Sequence, residues 1–312
     1  MNYVFIGNGI ISLSTALYLK SKLSNSCKIT IIGEYKRPGS ATLAAAAMLN
    51  SYCEIDEDTF KSEINSFRFE MSRNATSSWP ELIKKCLILD PSSNDKENFF
   101  NNYGDIGTYL INNTSADHLD DINYEAIING LKKFKEPYNE IIPREIPGYK
   151  PSQTDRSNRA IYIKNEGWVN SHSIIKSIQR ALANDDRILF INDSVSQLKQ
   201  KNGKIDHITL NSGKIISADK YLLASGANVS DLLFQSEIDI NIPRIFYGVG
   251  VSLLLSNQDN EIKKCIRTPN RGLACGVYAV PFNSHMKNDK IVLGATNFIS
   301  HKPINKARVI SV

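Results

Sequence analysis

The opening 34 residues constrain this chain more than any other stretch. Tyr3-Val4-Phe5-Ile6 is a short run of β-formers, Gly7-Asn8-Gly9-Ile10-Ile11-Ser12 follows at once, and Ser14 to Leu23 repeats apolar residues at helical spacing. A second continuous β-branched run, Lys28 to Ile32, closes on Gly33-Glu34 and has the character of a strand buried in a parallel sheet. Together they predict a strand–turn–helix–strand unit. Within it, Gly7 permits the sharp turn, Gly9 lets a diphosphate approach the backbone, and the exposed N–H groups at the helix start supply partial positive charge. Ser12 replaces the usual third glycine and is small enough for close packing. Glu34 follows Ser12 by 22 positions, against about 20 in the general dinucleotide pattern, where the acid holds a ribose hydroxyl. The turn by itself leaves NAD, NADP and FAD open.

Length and composition narrow the class. At 312 residues the chain has room for about two domains at roughly 150 residues each. The charge of +5, from 37 basic and 32 acidic residues, is too small and too scattered to argue for a nucleic-acid partner. The longest apolar run, Ala41 to Leu49, is less than half of a membrane span and mostly alanine, so no membrane partner is expected. The amino terminus lacks a basic region followed by a cleavage site, and five cysteines without a C-x-x-C pair suit reduced thiols, so a cytoplasmic location is expected. None of the five histidines is paired at metal-ligand spacing, and no metal site is expected.

Beyond the opening unit, the alanine-rich stretch from Ala41 to Met48 has helix propensity, and 60–90 has the spacing of amphipathic helices broken near Pro80. The polar span 90–102 and the proline-bearing span 136–157 read as surface loops. Asn170 to Leu182 reads as a helix capped by Asn170 or Ser171, and Arg187 to Ile191 as a strand. Turns at Asn202-Gly203 and Asn211-Ser212-Gly213 predict a three-stranded meander, after which Lys220 to Ala224 returns as a buried strand ending at Ser225-Gly226-Ala227. The segments VGVSLLL, GVYAVP and KIVLGAT predict an antiparallel sheet of a separate domain.

In order along the chain, GNGIISLSTALYL, GSATLAAAAML with Glu54, EGWVNSHSIIKSI, ADKYLLASGANVSDLL, and NRGLACGVYAVP with KIVLGAT resemble successive blocks of the glycine oxidase and D-amino-acid oxidase family of flavoenzymes. The resemblance covers most of 1–57 and 160–298. It implies an α/β chain: a Rossmann-like FAD-binding domain with a parallel sheet and a β-meander (1–57 with 160–235), and a smaller α+β substrate domain with an antiparallel sheet (58–159 with 236–312). It implies FAD as cofactor and oxidation of a C–N bond of a small-molecule amine or amino acid to an imine. By position, Gly7, Gly9, Ile10 and Ser12 match the diphosphate turn and Glu34 the ribose acid. Ala41, Thr42, Ala47, Met48 and Leu49 match the small-residue segment along the pyrophosphate and flavin ring, Val195 the residue whose backbone meets adenine, and Gly226 the strand-end glycine beside the cofactor.

Two departures bear on the substrate. The resemblance implies a carboxylate-clamping arginine after the proline of Val280-Pro281, where this chain has Phe282, and a further glycine-rich segment beyond the point where this sequence stops. A truncated sequence, a homo-oligomer or a partner chain that completes the flavin site is the matching expectation. Arg271 and Tyr278 are the leading candidates to face the substrate, with Arg244 and Arg267 behind them, and Cys275 is expected to be a buried free thiol. The competing readings are a flavin-binding subunit without catalysis and a nicotinamide dehydrogenase.

Overall fold

The computed structural model describes residues 1–37, 39–90, 104–113, 118–152, 156–243, 245–257, 261–271, 276–284 and 287–301. They divide into two units. The first takes Met1–Ala45, a short stretch from Lys85 and Ser171–Tyr247; the second takes Ala46–Lys84, the described residues up to Asn170, and those from Gly248 onward. Residues 46–57 and 160–170, expected with the cofactor domain, therefore belong with the second unit. The reason is pairing: Met48–Leu49 is a strand hydrogen-bonded to Ser157–Val169, with Met48 opposite Trp168 and Leu49 opposite Gly167.

The first unit is built on a four-stranded parallel sheet in the order Lys220–Leu223, Asn2–Ile6, Lys28–Ile32, Ile188–Ile191. One side is covered by helices Ile10–Lys20 and Ser171–Ala183, which pack together. Leu13 and Leu17 of the first helix are fully buried, each stabilising by about 1.5–3 kcal/mol. The other side carries the predicted meander, Val195–Lys201, Lys204–Leu210 and Ile215–Ile216, whose Leu198, Ile208 and Leu210 share a core with Val4, Ile6, Ile32, Val229 and Leu232. Because the first strand lies inside the sheet, with its two neighbours reached by separate crossovers, the strand ends next to it form a switch point, the usual ligand crevice of such sheets.

The second unit holds a sheet in the order Leu253–Ser256, Lys287–Gly294, Tyr278–Ser284, Cys265–Arg267, Gly104–Asn113, Ser157–Val169, Met48–Leu49, with Tyr138–Ile141 also on Ser157–Val169. Its pairs are antiparallel except Cys265–Arg267 with Gly104–Asn113, which run parallel. One face packs Leu110, Ile161 and Ile163 against Tyr52, Phe69, Tyr124 and Ile127.

Three local expectations change. The alanine stretch makes one helical turn, Ala41–Ala44, before Ala47 adopts φ +53 and the chain enters the Met48–Leu49 strand; sheet pairing overrides alanine's helix propensity. Pro80 does not break the 60–90 region, since a single helix runs Glu63–Leu89 with Pro80 inside it. Span 136–157 contains the Tyr138–Ile141 strand and a turn of tighter helix at Pro143–Glu145. Of the span 90–102 only Asp90 lies among the described residues, and it is fully buried, with Arg180 and Ser177 on its carboxylate.

Candidate cofactor and active site

The turn after the first strand has the geometry a diphosphate requires. Gly7 sits at φ +110, a conformation L side chains rarely adopt, and a Cβ there would lie 2.3 Å from the Ala224 carbonyl oxygen. Gly7 N donates to the Ile32 carbonyl at 2.8 Å, tying the turn to the second strand end. Gly9 occupies the N-cap of the Ile10–Lys20 helix with no side-chain cap and no acid in the first turn. Among the described residues its N-terminal amides are thus served only at Ile10, which donates to Thr42 Oγ1 at 3.3 Å. Ser12 is fully buried and its Oγ has no hydrogen-bond partner, and Ser225 Oγ, at the end of the neighbouring strand, is a second buried hydroxyl without one. An uncapped helix start, a glycine where a Cβ would crowd the approach, and two orphaned hydroxyls fit a dinucleotide diphosphate.

Around this turn lie the other cofactor candidates of the first unit. Glu34 Oε1 accepts a hydrogen bond from Ser194 Oγ at 2.7 Å, which joins it to the residue preceding Val195. Val195 opens its strand opposite Leu210 and is half-buried. Gly226, at φ +62 and with open space for 4 Å around the point where a Cβ would stand, begins the turn leading into helix Val229–Gln235. Two residues that sequence reasoning missed stand here. Asn8 is buried, packs on Gly33 and donates from Nδ2 to the Glu34 carbonyl at 3.1 Å. Arg37 Nη1 donates to Asn8 Oδ1 at 2.5 Å while its buried Nε has no partner, and burial lowers its pKa. The spacing of Arg37, three residues past Glu34, was the only sequence signal for it.

In the second unit, the Ala47 carbonyl accepts Val169 N at 3.0 Å, and Met48 packs with Trp168, Cys265, Val280 and Tyr278. Met48–Leu49 is thus the edge strand of the sheet and Tyr278 lies on an inner strand, Met48 and Tyr278 both packing on Trp168, Cys265 and Val280. Tyr278 stands directly across from Arg267 on the adjacent strand. Arg271, by contrast, is committed: Nε and Nη2 donate to Asp120 Oδ1 and Oδ2 at 2.8 and 2.6 Å, and that carboxylate is buried. Arg267 is buried completely and paired with Glu54. Burial acts to lower its pKa, but the Glu54 charge and hydrogen bond, with the neighbouring Cys53 and Cys265, together outweigh it and the guanidinium stays cationic.

Glu166 is a further residue that the sequence did not single out. It is 1% exposed; Oε1 accepts backbone N–H groups of Ser51 at 2.6 Å, of Tyr52, and of Cys53 at 3.3 Å, and Oε2 has no partner. Burial raises its pKa, only partly opposed by the Cys53 and backbone hydrogen bonds. Arg244 and Cys275 lie outside the described residues. Among the described residues Cys27, Cys53, Cys86 and Cys265 are free thiols, no group of side chains could hold a metal ion, and no helix is long and apolar enough to cross a membrane.

Among solved structures, glycine oxidase from Bacillus cereus ATCC 14579 is 18% identical, with a TM-score of 0.70 over 96% of this chain and 72% of that one. Iminodiacetate oxidase from Chelativorans sp. BNC1 is 20% identical, with a TM-score of 0.69 over 95% of this chain and 71% of that one. L-proline dehydrogenase from P. horikoshii is 15% identical, with a TM-score of 0.63 over 97% of this chain and 73% of that one. At these identities the likeness shows the fold. Comparison with curated protein sequences gives no match. The family model described as DAO, FAD dependent oxidoreductase, matches residues 2–309. Spanning both units and the diphosphate turn alike, that match means that the chain belongs to the DAO family of FAD-dependent oxidoreductases.

Proposed function

We propose that this chain binds FAD noncovalently and oxidises a C–N bond of a small amine or amino compound to an imine. The observation that carries the reading is the uncapped start of the Ile10–Lys20 helix at Gly9, beside the orphaned Ser12 hydroxyl. In this reading Gly7, Gly9, Ile10 and Ser12 receive the diphosphate, with Thr42 and Ala41 flanking it. Glu34 holds the ribose, Val195 offers its backbone to adenine, and Gly226 leaves room for the cofactor to pass. The dinucleotide-binding turn supports these roles because N–H dipoles and absent side chains are what a diphosphate needs. Arg37, with a buried unpartnered Nε, adds a cation at the same strand ends.

FAD supplies the acceptor for the two electrons that leave the substrate carbon. What the polypeptide contributes is orientation and exclusion of water. In the second unit, Trp168, Cys265 and Val280 form the buried apolar cluster against which Met48 packs. Tyr278 is the candidate to meet the substrate. Phe282 stands where the family resemblance implies an arginine, so a free carboxylate finds no clamp there, and an uncompensated buried carboxylate costs several kcal/mol. Glycine should therefore be a poor substrate and amines without a carboxylate better ones.

The test is anaerobic: the FAD-loaded protein is mixed with glycine, D-amino acids, sarcosine and larger amines, and flavin bleaching is followed. Bleaching by an amine in the panel is the expected result, and rapid bleaching by glycine would contradict the substrate reading. A second reading, a flavin-binding subunit without catalysis, draws on the commitment of both Arg267 and Arg271 to carboxylates. Retained FAD that no amine bleaches would favour it.

A further inference from the structure

Arg267 and Arg271 of the second unit are both tied to carboxylates, and the pair formed by Arg267 is unequal. Arg267 shares a sheet face with Tyr278, its direct cross-strand partner. All three of its guanidinium nitrogens are engaged: Nη1 donates to Glu54 Oε1, Nη2 to Asn270 Oδ1 at 2.6 Å, and Nε to the Thr268 carbonyl at 3.3 Å. Asn270 Nδ2 in turn donates to Glu54 Oε2 at 2.7 Å. The Arg267 side chain is 0% exposed, whereas that of Glu54 is 42% exposed. The cation is sealed inside and the anion faces outward. Among the described residues each Glu54 oxygen carries one donor, and a carboxylate can accept about four, so Glu54 keeps capacity for a further donor.

The geometry points to Glu54 as the group that receives an ammonium of the substrate, with Arg267 and Asn270 as positioning residues that fix its carboxylate, and hence to a diamine-like substrate without a neighbouring carboxylate. This inference rests on the proposed reading that the face bearing Tyr278 receives the substrate. A carboxylate arriving at the same face would meet the Glu54 charge first, with Arg267 hidden behind it. Fixing an anion against a buried, fully hydrogen-bonded cation also removes the freedom that makes most exposed charge pairs weak.

The held nitrogen and the oxidised nitrogen are different atoms. Burial pushes the Glu54 carboxyl up, but the Arg267 charge and the hydrogen bonds from Arg267 and Asn270 outweigh it and hold it below the ordinary value. Glu54 is then a weak base, and an ammonium resting on it keeps its proton. A protonated nitrogen has no lone pair to support loss of hydride from its carbon. The C–N bond that is oxidised must therefore belong to a second, neutral amino group of the same molecule.

The test uses the FAD-loaded protein and three probes of one chain length: butylamine, which is an ammonium near neutral pH, butanol and butyrate. Dissociation constants are read by calorimetry and by perturbation of the visible flavin spectrum near neutral pH. Butylamine should bind about tenfold more tightly than butanol, the worth of one charge-assisted hydrogen bond, and butyrate should bind most weakly. In the double variant Glu54→Gln, Arg267→Met, which removes both partners of the pair together, the ratio should fall to about one. An ion pair with only a structural role would change melting temperature and leave that ratio as it was. Equal binding of butylamine and butanol by the natural protein, or a preference that survives in the double variant, overturns the inference. Should the double variant fail to fold, the three-probe series on the natural protein decides. Calorimetry reads the ratio with or without flavin, so a protein that retains no FAD refutes the proposed function separately from this inference.

Discussion

Replacing Gly7 with alanine should damage the fold as well as the cofactor site. The new Cβ would stand 2.3 Å from the Ala224 carbonyl oxygen and 2.8 Å from its carbon, both backbone atoms, at a φ of +110. The left-handed backbone costs about 1–2 kcal/mol for a residue with a Cβ. Overpacking against main chain adds about 1–3 kcal/mol. Relief requires moving Ala224, whose N donates to Ile6 O at 2.9 Å, so it loosens the join between the Asn2–Ile6 and Lys220–Leu223 strands. The sum is about 2–5 kcal/mol, which at a urea slope of about 2 kcal/mol/M lowers the unfolding midpoint by about 1–2.5 M. Gly226→Ala is the control: its φ is +62 but nothing lies within 4 Å, so only the conformational cost of about 1–2 kcal/mol applies. Equal midpoints for the two variants would refute the close-approach argument.

Other substitutions separate the remaining links. Gly9→Val keeps an allowed backbone, φ −76 and ψ −176, and its Cβ meets only Thr42 Oγ1 at 3.1 Å, so it should lose flavin while its urea midpoint changes little; retained FAD would remove Gly9 from the site. Asp90→Ala deletes a fully buried carboxylate held on both oxygens by Arg180, and should cost roughly 3 kcal/mol, the low end for a buried pair because Arg180 is 42% exposed; a loss under about 1 kcal/mol would contradict it. Glu166 has a raised pKa from burial, so its folded state binds a proton more tightly than its unfolded state does. Its contribution is complete below the ordinary value of 4.5 and is lost as pH rises through the higher folded value. The natural protein should therefore lose stability relative to Glu166→Gln as pH rises above 4.5, and a pH-independent difference in denaturation midpoints would refute this.

The parts of the fold legible in the sequence were those with short-range causes. Tyr3 to Glu34 announces strand, turn and helix because each step is set by neighbours in sequence, and the Asn202-Gly203 turn fixes its meander in the same way. The alanine stretch misled because the strand that captures Met48 and Leu49 lies far along the chain, at Gly167 and Trp168. Arg271 read as a cation available to the substrate for the same reason: Asp120, 151 residues earlier, is what it binds. Asn8 lies inside the glycine turn and Glu166 opens the EGWVN block, yet neither these two nor Arg37 shows its role in sequence, since their roles come from burial and from partners that only the folded chain assembles.

The central claim is that an uncapped helix start at Gly9 and a strand-end acid at Glu34 bind FAD without a covalent link. It is tested by purifying the chain, precipitating it with acid and identifying what enters the supernatant. The account predicts yellow protein and a colourless pellet, with intact FAD released. A colourless protein, a pellet that keeps the colour, or a nicotinamide dinucleotide in place of FAD would contradict it.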